Sequence, residues 1–140
     1  MNSFASSTAI QAAPELVWRI LVDAPGYPGW NTTVSRIEGH IALGAKVTVH
    51  AKVAPGRAFP VKVVAFDAPR RMVWSGGMPL GLLKGERVFE LRPTAGGGVD
   101  FAMREDYSGW LAPLITKSIP DLQAAFDEFA ARLKARAERG

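Results

Sequence analysis

Apolar positions along the chain keep three rhythms in succession. Phe4 to Ile10 reads as a first strand. Ala13-Pro14-Glu15 then opens a helix, with Pro14 in the first turn, where its missing N–H costs nothing. Leu16, Val17, Ile20 and Leu21 give that helix an apolar face, and Asp23-Ala24-Pro25-Gly26 stops it. Tyr27-Pro28-Gly29-Trp30-Asn31 follows as a short aromatic-bearing turn. From there to about Tyr107 the period is two. Val47, Val49, Ala51 and Val53 alternate with Thr48, His50 and Lys52, as in a half-buried strand. Further strands are predicted over Phe59 to Phe66, Arg71 to Ser75, Glu86 to Leu91 and Val99 to Tyr107, the last two joined by the glycine-rich hairpin Pro93 to Gly98. The third rhythm is helical again. Leu122, Phe126, Phe129 and Leu133 recur at spacings of four, three and four, with Ser118-Ile119-Pro120-Asp121 as the start signal. Leu111 to Ile115 suggests an earlier helical turn.

Strands that follow one another through short turns make an antiparallel sheet. One long amphipathic helix cannot bury its stripe alone, and a sheet curved around it can. The expected architecture is α+β: one domain over residues 1–140, with two short helices after the first strand and a curved sheet wrapped around the C-terminal helix.

Several stretches resemble one family. Val17-Trp18, Asp23 and Tyr27-Pro28-Gly29-Trp30-Asn31 are similar to the START-like (SRPBCC, helix-grip) superfamily of ligand-binding domains. Arg71 to Gly76, Phe89-Glu90-Leu91-Arg92-Pro93, Glu105-Asp106-Tyr107-Ser108-Gly109, Phe126-Asp127-Glu128-Phe129 and Leu133-Lys134 continue the likeness over nearly the whole chain. The members it resembles are polyketide cyclase/dehydrase-like proteins and a family of accessory proteins associated with carbon monoxide dehydrogenase. The resemblance implies a helix-grip fold and an internal cavity. It does not imply a reaction, because the superfamily holds carriers, binders and cyclases alike.

Composition excludes more than it selects. The chain has no cysteine, which removes disulfides, thiolate metal sites and cysteine nucleophiles. The N-terminus lacks a basic stretch followed by an apolar run, and no run is long enough to span a bilayer, so a cytoplasmic protein is expected. Much of the net charge of +4 sits on Arg132, Lys134, Arg136 and Arg139, where cations complement a helix C-terminus. No basic stripe interleaves with aromatics, so nucleic acid is not an expected partner. No metal or cofactor is expected either. His40 and His50 read as surface residues, Gly96-Gly97-Gly98 as a turn without the helix start that binds phosphate, and Ser75 lacks a nucleophile elbow.

Glu105 is the strongest polar candidate. It shares a strand face with Phe101, Met103 and Tyr107, and an unpaired carboxylate among them would need a partner or a task. Arg87 has matching phase on the preceding strand, beside Phe89 and Leu91. Pairing Leu91 with Val99 would set Arg87 opposite Met103 and diagonal to Glu105. Two roles stay open for the pair: a structural ion pair, or an anchor or acid/base group for a ligand. Around it, Trp30, Trp74, Phe89, Phe101, Trp110 and Phe126 are the aromatics expected to line a cavity or fill the core, with Phe59, Met78, Met103 and Leu122 as further wall residues. The apolar loop Met78 to Leu83 reads as a lid or partner surface.

The leading functional expectation is binding of a small hydrophobic or aromatic metabolite or lipid between sheet and helix. A cyclase/aromatase-type enzyme using Glu105, with Tyr107, is the alternative from a different class. A membrane- or partner-docking accessory protein is the third, resting on Met78 to Leu83 and the basic C-terminus, although membrane contact is not the expectation. No feature of the sequence sets an oligomeric state.

Overall fold

The computed structural model describes residues 2–52, 58–118 and 122–140. Strand β1 (Asn2–Ile10) leads into helix α1 (Pro14–Val22) and a 3-10 helix (Ala24–Gly29). Strands β2 (Val34–Glu38), β3 (Lys46–Ala51), β4 (Phe59–Asp67), β5 (Arg71–Met78), β6 (Leu83–Pro93) and β7 (Val99–Ser108) follow, then helices α2 (Ala112–Ser118) and α3 (Leu122–Glu138). The seven strands form one antiparallel sheet in the order β1-β7-β6-β5-β4-β3-β2. This is a helix-grip, α+β fold, with α3 held in the concave face. None of its described helices is long and apolar enough to cross a membrane.

Local chemistry explains the element ends. Pro14 sits at the first helical position of α1 behind Ala13, whose carbonyl accepts from Leu16 and Val17 N–H. The 3-10 helix then brings Tyr27 inward, and its hydroxyl donates to the Leu21 carbonyl at 2.7 Å. Asn31, also buried, accepts from Thr33 N–H and Oγ1 at 2.8 and 2.6 Å, which turns the chain into β2.

All four residues of the α3 stripe, Leu122, Phe126, Phe129 and Leu133, are buried. The polar flank of α3 covers the edge strand. Gln123 Nε2 donates to Ala5 O and Lys134 Nζ to Ala9 O, satisfying carbonyls that an open sheet edge would expose. Lys134 also pairs with Glu138, and Arg132 with Glu128. Much of the basic C-terminus is thereby committed to the fold.

Four details differ from the pattern reading. Strand β2 does not stand out by alternation, because a bulge between Val34 and Arg36 puts its buried residues, Val34 and Ile37, three apart. Strands β5 and β6 run on to Met78 and from Leu83, which shrinks the apolar loop to residues 79–82. In the β6–β7 hairpin, Leu91 opposes Phe101 and Pro93 opposes Val99, with Thr94 N–H bonded to Gly98 O. The register is therefore two residues from the one expected, and Arg87 lies directly opposite Glu105. A shift of two keeps every side chain on its face. Finally, Ser118 closes α2; Ile119, Pro120 and Asp121 of the predicted start signal, like Val53 at the end of the strand predicted from Val47, lie outside the described residues.

Candidate ligand-binding site

The concave face is filled unevenly. At one end Phe129 meets the rings of Tyr27, Trp30, Phe89 and Phe101, with centroids 5.5–6.3 Å apart. This aromatic cluster is a packed plug, and burial pushes the Tyr27 hydroxyl well above its ordinary pKa. Toward the other end of α3, beyond Phe126, the space is not filled. A cavity of about 520 Å³ lies there, inside the usual range of ligand pockets, about 300–1,000 Å³.

Its walls come from every layer of the fold. β3 and β4 supply Val49, Phe59 and Val61; β5 and β6 supply Trp74, Met78 and Arg87; β7 supplies Met103, Glu105 and Tyr107; α3 supplies Leu122, Ala125 and Phe126. Glycines make the room. Gly76 and Gly85 oppose each other on β5 and β6, and Gly85 also opposes Tyr107. A Cβ on Gly85 would press on Glu105 Oε2 at 3.3 Å and on the Tyr107 ring at 3.4 Å. One on Gly76 would clash with Pro60 O at 2.6 Å. Bare backbone here is what lets the polar side chains lie flat against the wall.

One row across the sheet carries the polar chemistry. Glu105, Arg87 and Trp74 are successive neighbours on β7, β6 and β5. Arg87 Nε donates to Glu105 Oε1 at 2.5 Å, and the two side chains are 20% and 14% exposed. The guanidinium carbon also sits 4.7 Å from the centroid of the Phe126 ring, so Arg87 is held by β7 on one side and α3 on the other. Burial pushes the Arg87 pKa down, but the Glu105 carboxylate, together with Tyr107 and Tyr27, more than offsets it and leaves it raised. Burial, and then the charge of Glu105, push the Tyr107 phenol above its ordinary value, so it remains a neutral donor at physiological pH. The Trp74 indole N–H is buried with no acceptor among the described residues.

Placement of the sequence candidates divides by depth. Phe59, Trp74, Met78, Arg87, Met103, Glu105, Tyr107, Leu122 and Phe126 line the cavity. Trp30, Phe89 and Phe101 do not. They belong to the plug around Phe129, and Phe89 packs edge-on against Trp74 at 4.7 Å. Trp110 is also outside, 86% exposed on the turn between β7 and α2. Sequence reasoning missed the glycines and small residues of the wall, with Ala51, Ala58 and Ala125. Their signal was glycine at inward-facing strand positions, Gly85 in phase with Arg87 and Gly76 in phase with Trp74. His40 is exposed, and His50 bonds Glu38 at 2.5 Å on the β2–β3 edge; neither lines the cavity.

Comparisons with known proteins bear on the family and the fold. Residues 1–138 match the family described as polyketide cyclase/dehydrase and lipid transport. The chain belongs to this family. A curated relative from Penicillium oxalicum, named oxopyrrolidines biosynthesis cluster protein O, is 30% identical over 124 residues, covering 67% of this chain. The chain spans 61% of that relative's length. Among solved structures, a hypothetical protein from Helicobacter pylori superposes with a TM-score of 0.81 at 15% identity, over 97% of this chain and 88% of that one. A START superfamily protein from Mycobacterium smegmatis gives 0.73 at 16% identity, over 98% and 97%. These structural likenesses establish the helix-grip fold.

Proposed function

We propose that the cavity binds a small hydrophobic or aromatic metabolite or lipid with one hydrogen-bonding end. The observation that carries this reading is the composition of the wall. It is built mostly of apolar side chains and glycine backbone, and its polar groups among the described side chains are those of Thr33, Arg87, Glu105 and Tyr107 and the indole N–H of Trp74. Apolar burial would drive binding at roughly 25 cal/mol per Å². The polar cluster would orient the ligand rather than supply the affinity. Because the charges of Arg87 and Glu105 cancel, a neutral acceptor such as a carbonyl suits the site better than a second carboxylate, which would leave a net buried charge. Arg87 offers Nη donors beyond the Nε–H that it gives to Glu105.

Native mass spectrometry of the purified protein tests the reading. The expected result is a retained small organic molecule, or uptake of a neutral aromatic ketone at one per chain. Failure of any apolar probe to bind would overturn it.

A second reading is catalytic. Glu105 and Tyr107 stand two residues apart on the cavity wall, a carboxylate beside a neutral phenol, as a cyclase/aromatase-type reaction would use them. The family description and the biosynthetic name of the Penicillium relative support it. Against it, the carboxylate already accepts from Arg87. Conversion of a flexible poly-carbonyl chain by the wild type and not by Glu105→Gln would decide for it.

A further inference from the structure

Residues 39–66 contain no aspartate or glutamate. Of the 17 Lys and Arg residues, four lie in this stretch, Lys46, Lys52, Arg57 and Lys62, and the remaining thirteen match the 13 acidic residues of the rest of the chain. The net charge of +4 therefore belongs here and not to the C-terminal helix, where Asp127, Glu128 and Glu138 oppose the cations. Strand period sorts the stretch by face. Val49 and Val61 line the cavity, so Lys46 and Lys62 stand on the outer face of the sheet. The two lysines oppose each other directly across β3 and β4, and both are exposed. Neither has an ion-pair partner among the described residues, and Glu38 on β2 is already shared by Arg36 and His50.

Stability gives no reason for this placement. Like charges at directly opposed strand positions are destabilising. Lysines do guard sheet edges against strand addition, but β3 and β4 are interior strands. The exposed apolar side chains supply a second observation. Among the described residues, Met78, Leu80, Trp110 and Leu114 stand at the rim of the cavity, where the backbone of Gly109 lies against the Gly81 and Leu82 carbonyls. The other two, Leu43 and Val64, belong to the lysine corner and are 65% and 47% exposed. Gly44 N–H donates to Val63 O at 2.8 Å and Val63 N–H to Ala45 O at 2.9 Å, which lays the chain after Leu43 along β4. A bulge at Val64 interrupts the pairing of β4 with β5 and leaves its side chain in water.

Charge and shape together choose the occupant. The other outer-face residues of this hairpin, Thr48, His50 and Pro60, include no phenylalanine, tyrosine or tryptophan ring on which a base could stack. A phosphate backbone would also leave Leu43 and Val64 without a counterpart. A protein surface that carries carboxylates beside an apolar side chain satisfies both halves of the patch. We propose that this corner docks an acidic amphipathic segment of another protein, with carboxylates at Lys46 and Lys62 and an apolar side chain between Leu43 and Val64. The surface lies on the opposite side of the sheet from the cavity, and its occupancy is measured without a cavity ligand, so either reading can fail alone.

Anisotropy of a fluorescent helical peptide carrying glutamates and leucines along one face tests it, beside a single-stranded thymidine oligonucleotide and phosphatidylserine vesicles. The wild type should bind the peptide in low salt, release it as salt rises, and not bind a version with glutamine at each glutamate. Lys46→Gln with Lys62→Gln should weaken binding about tenfold, the scale of two exposed ion pairs, and flatten the salt dependence. Leu43→Ser with Val64→Ser should weaken it severalfold and leave the salt dependence as it was. Arg71→Gln with Arg92→Gln removes the same charge from exposed positions at the far end of the sheet and should change little. Lys62→Gln alone should melt at the same temperature or higher, because it relieves the opposed charges. A lower melting temperature would assign that lysine to the fold and overturn the proposal. No binding of the peptide, or equal weakening by the Arg71 and Arg92 substitutions, would overturn it as well. Tighter binding of the oligonucleotide or the vesicles, lost with Lys46→Gln and Lys62→Gln, would overturn it in favour of nucleic acid or lipid.

Discussion

Arg87 and Glu105 oppose each other on β6 and β7 and close a 2.5 Å hydrogen bond at the wall of the cavity, beneath the ring of Phe126. The pair is largely withdrawn from water, so each partner is tolerable because the other is present. Glu105→Gln and Arg87→Met should each lower stability by about 2–4 kcal/mol, and the double variant should recover part of the loss. Urea unfolding of the four proteins measures the coupling. Additive losses would mean that the pair is effectively solvated.

Phe129 and Phe126 occupy successive turns of α3 but meet different surroundings. Both line the cavity, but Phe129 also meets four rings of the plug, whereas Phe126 meets one ring, that of Phe4, and the Arg87 guanidinium. Phe129→Ala should cost about 3–5 kcal/mol, as in a close-packed core. The cost of Phe126→Ala should be smaller, since fewer neighbours lose contacts. Equal losses would show that the space beside Phe126 is filled.

Both tyrosines, Tyr27 and Tyr107, have pKa values raised in the folded state, chiefly by burial. The folded chain thus holds its phenol protons more tightly than the unfolded chain, whose tyrosines ionise near pH ~10. Their contribution to stability is complete below that pH and falls as pH rises above it. Absorbance titration should show little tyrosinate until the protein unfolds, and then both residues together. Early ionisation of one tyrosine in a folded protein would contradict the buried placement.

Period-two alternation is enough to put Glu105, Arg87, Met103 and Trp74 on the inner face, and it survives a register error of two residues because faces repeat every second residue. Depth is not legible in the same way. Phe89 and Arg87 share a face, yet the two-residue step between them, roughly 7 Å along a strand, separates packed plug from open cavity. Which rows are filled depends on where α3 lays Phe129, a relation between distant segments that no local pattern contains. Trp110 departs from expectation for a related reason. Its size suggests burial, but the backbone contact at Gly109 holds it on the rim. The small residues of the wall escape a search for side chains because a cavity is marked by where side chains are absent.

The central claim is that the space bounded by α3 and the polar row of β5, β6 and β7 takes up an apolar molecule. Ala125 lies on the cavity side of α3 between Leu122 and Phe129, and Ala125→Phe would put a ring into that space while leaving the plug intact. Titration with a neutral naphthylamine fluorophore, followed by its emission, compares the two proteins directly. The account predicts saturable binding at one site in the wild type and its loss in a folded Ala125→Phe variant. Undiminished binding to that variant, or none to the wild type, would contradict it.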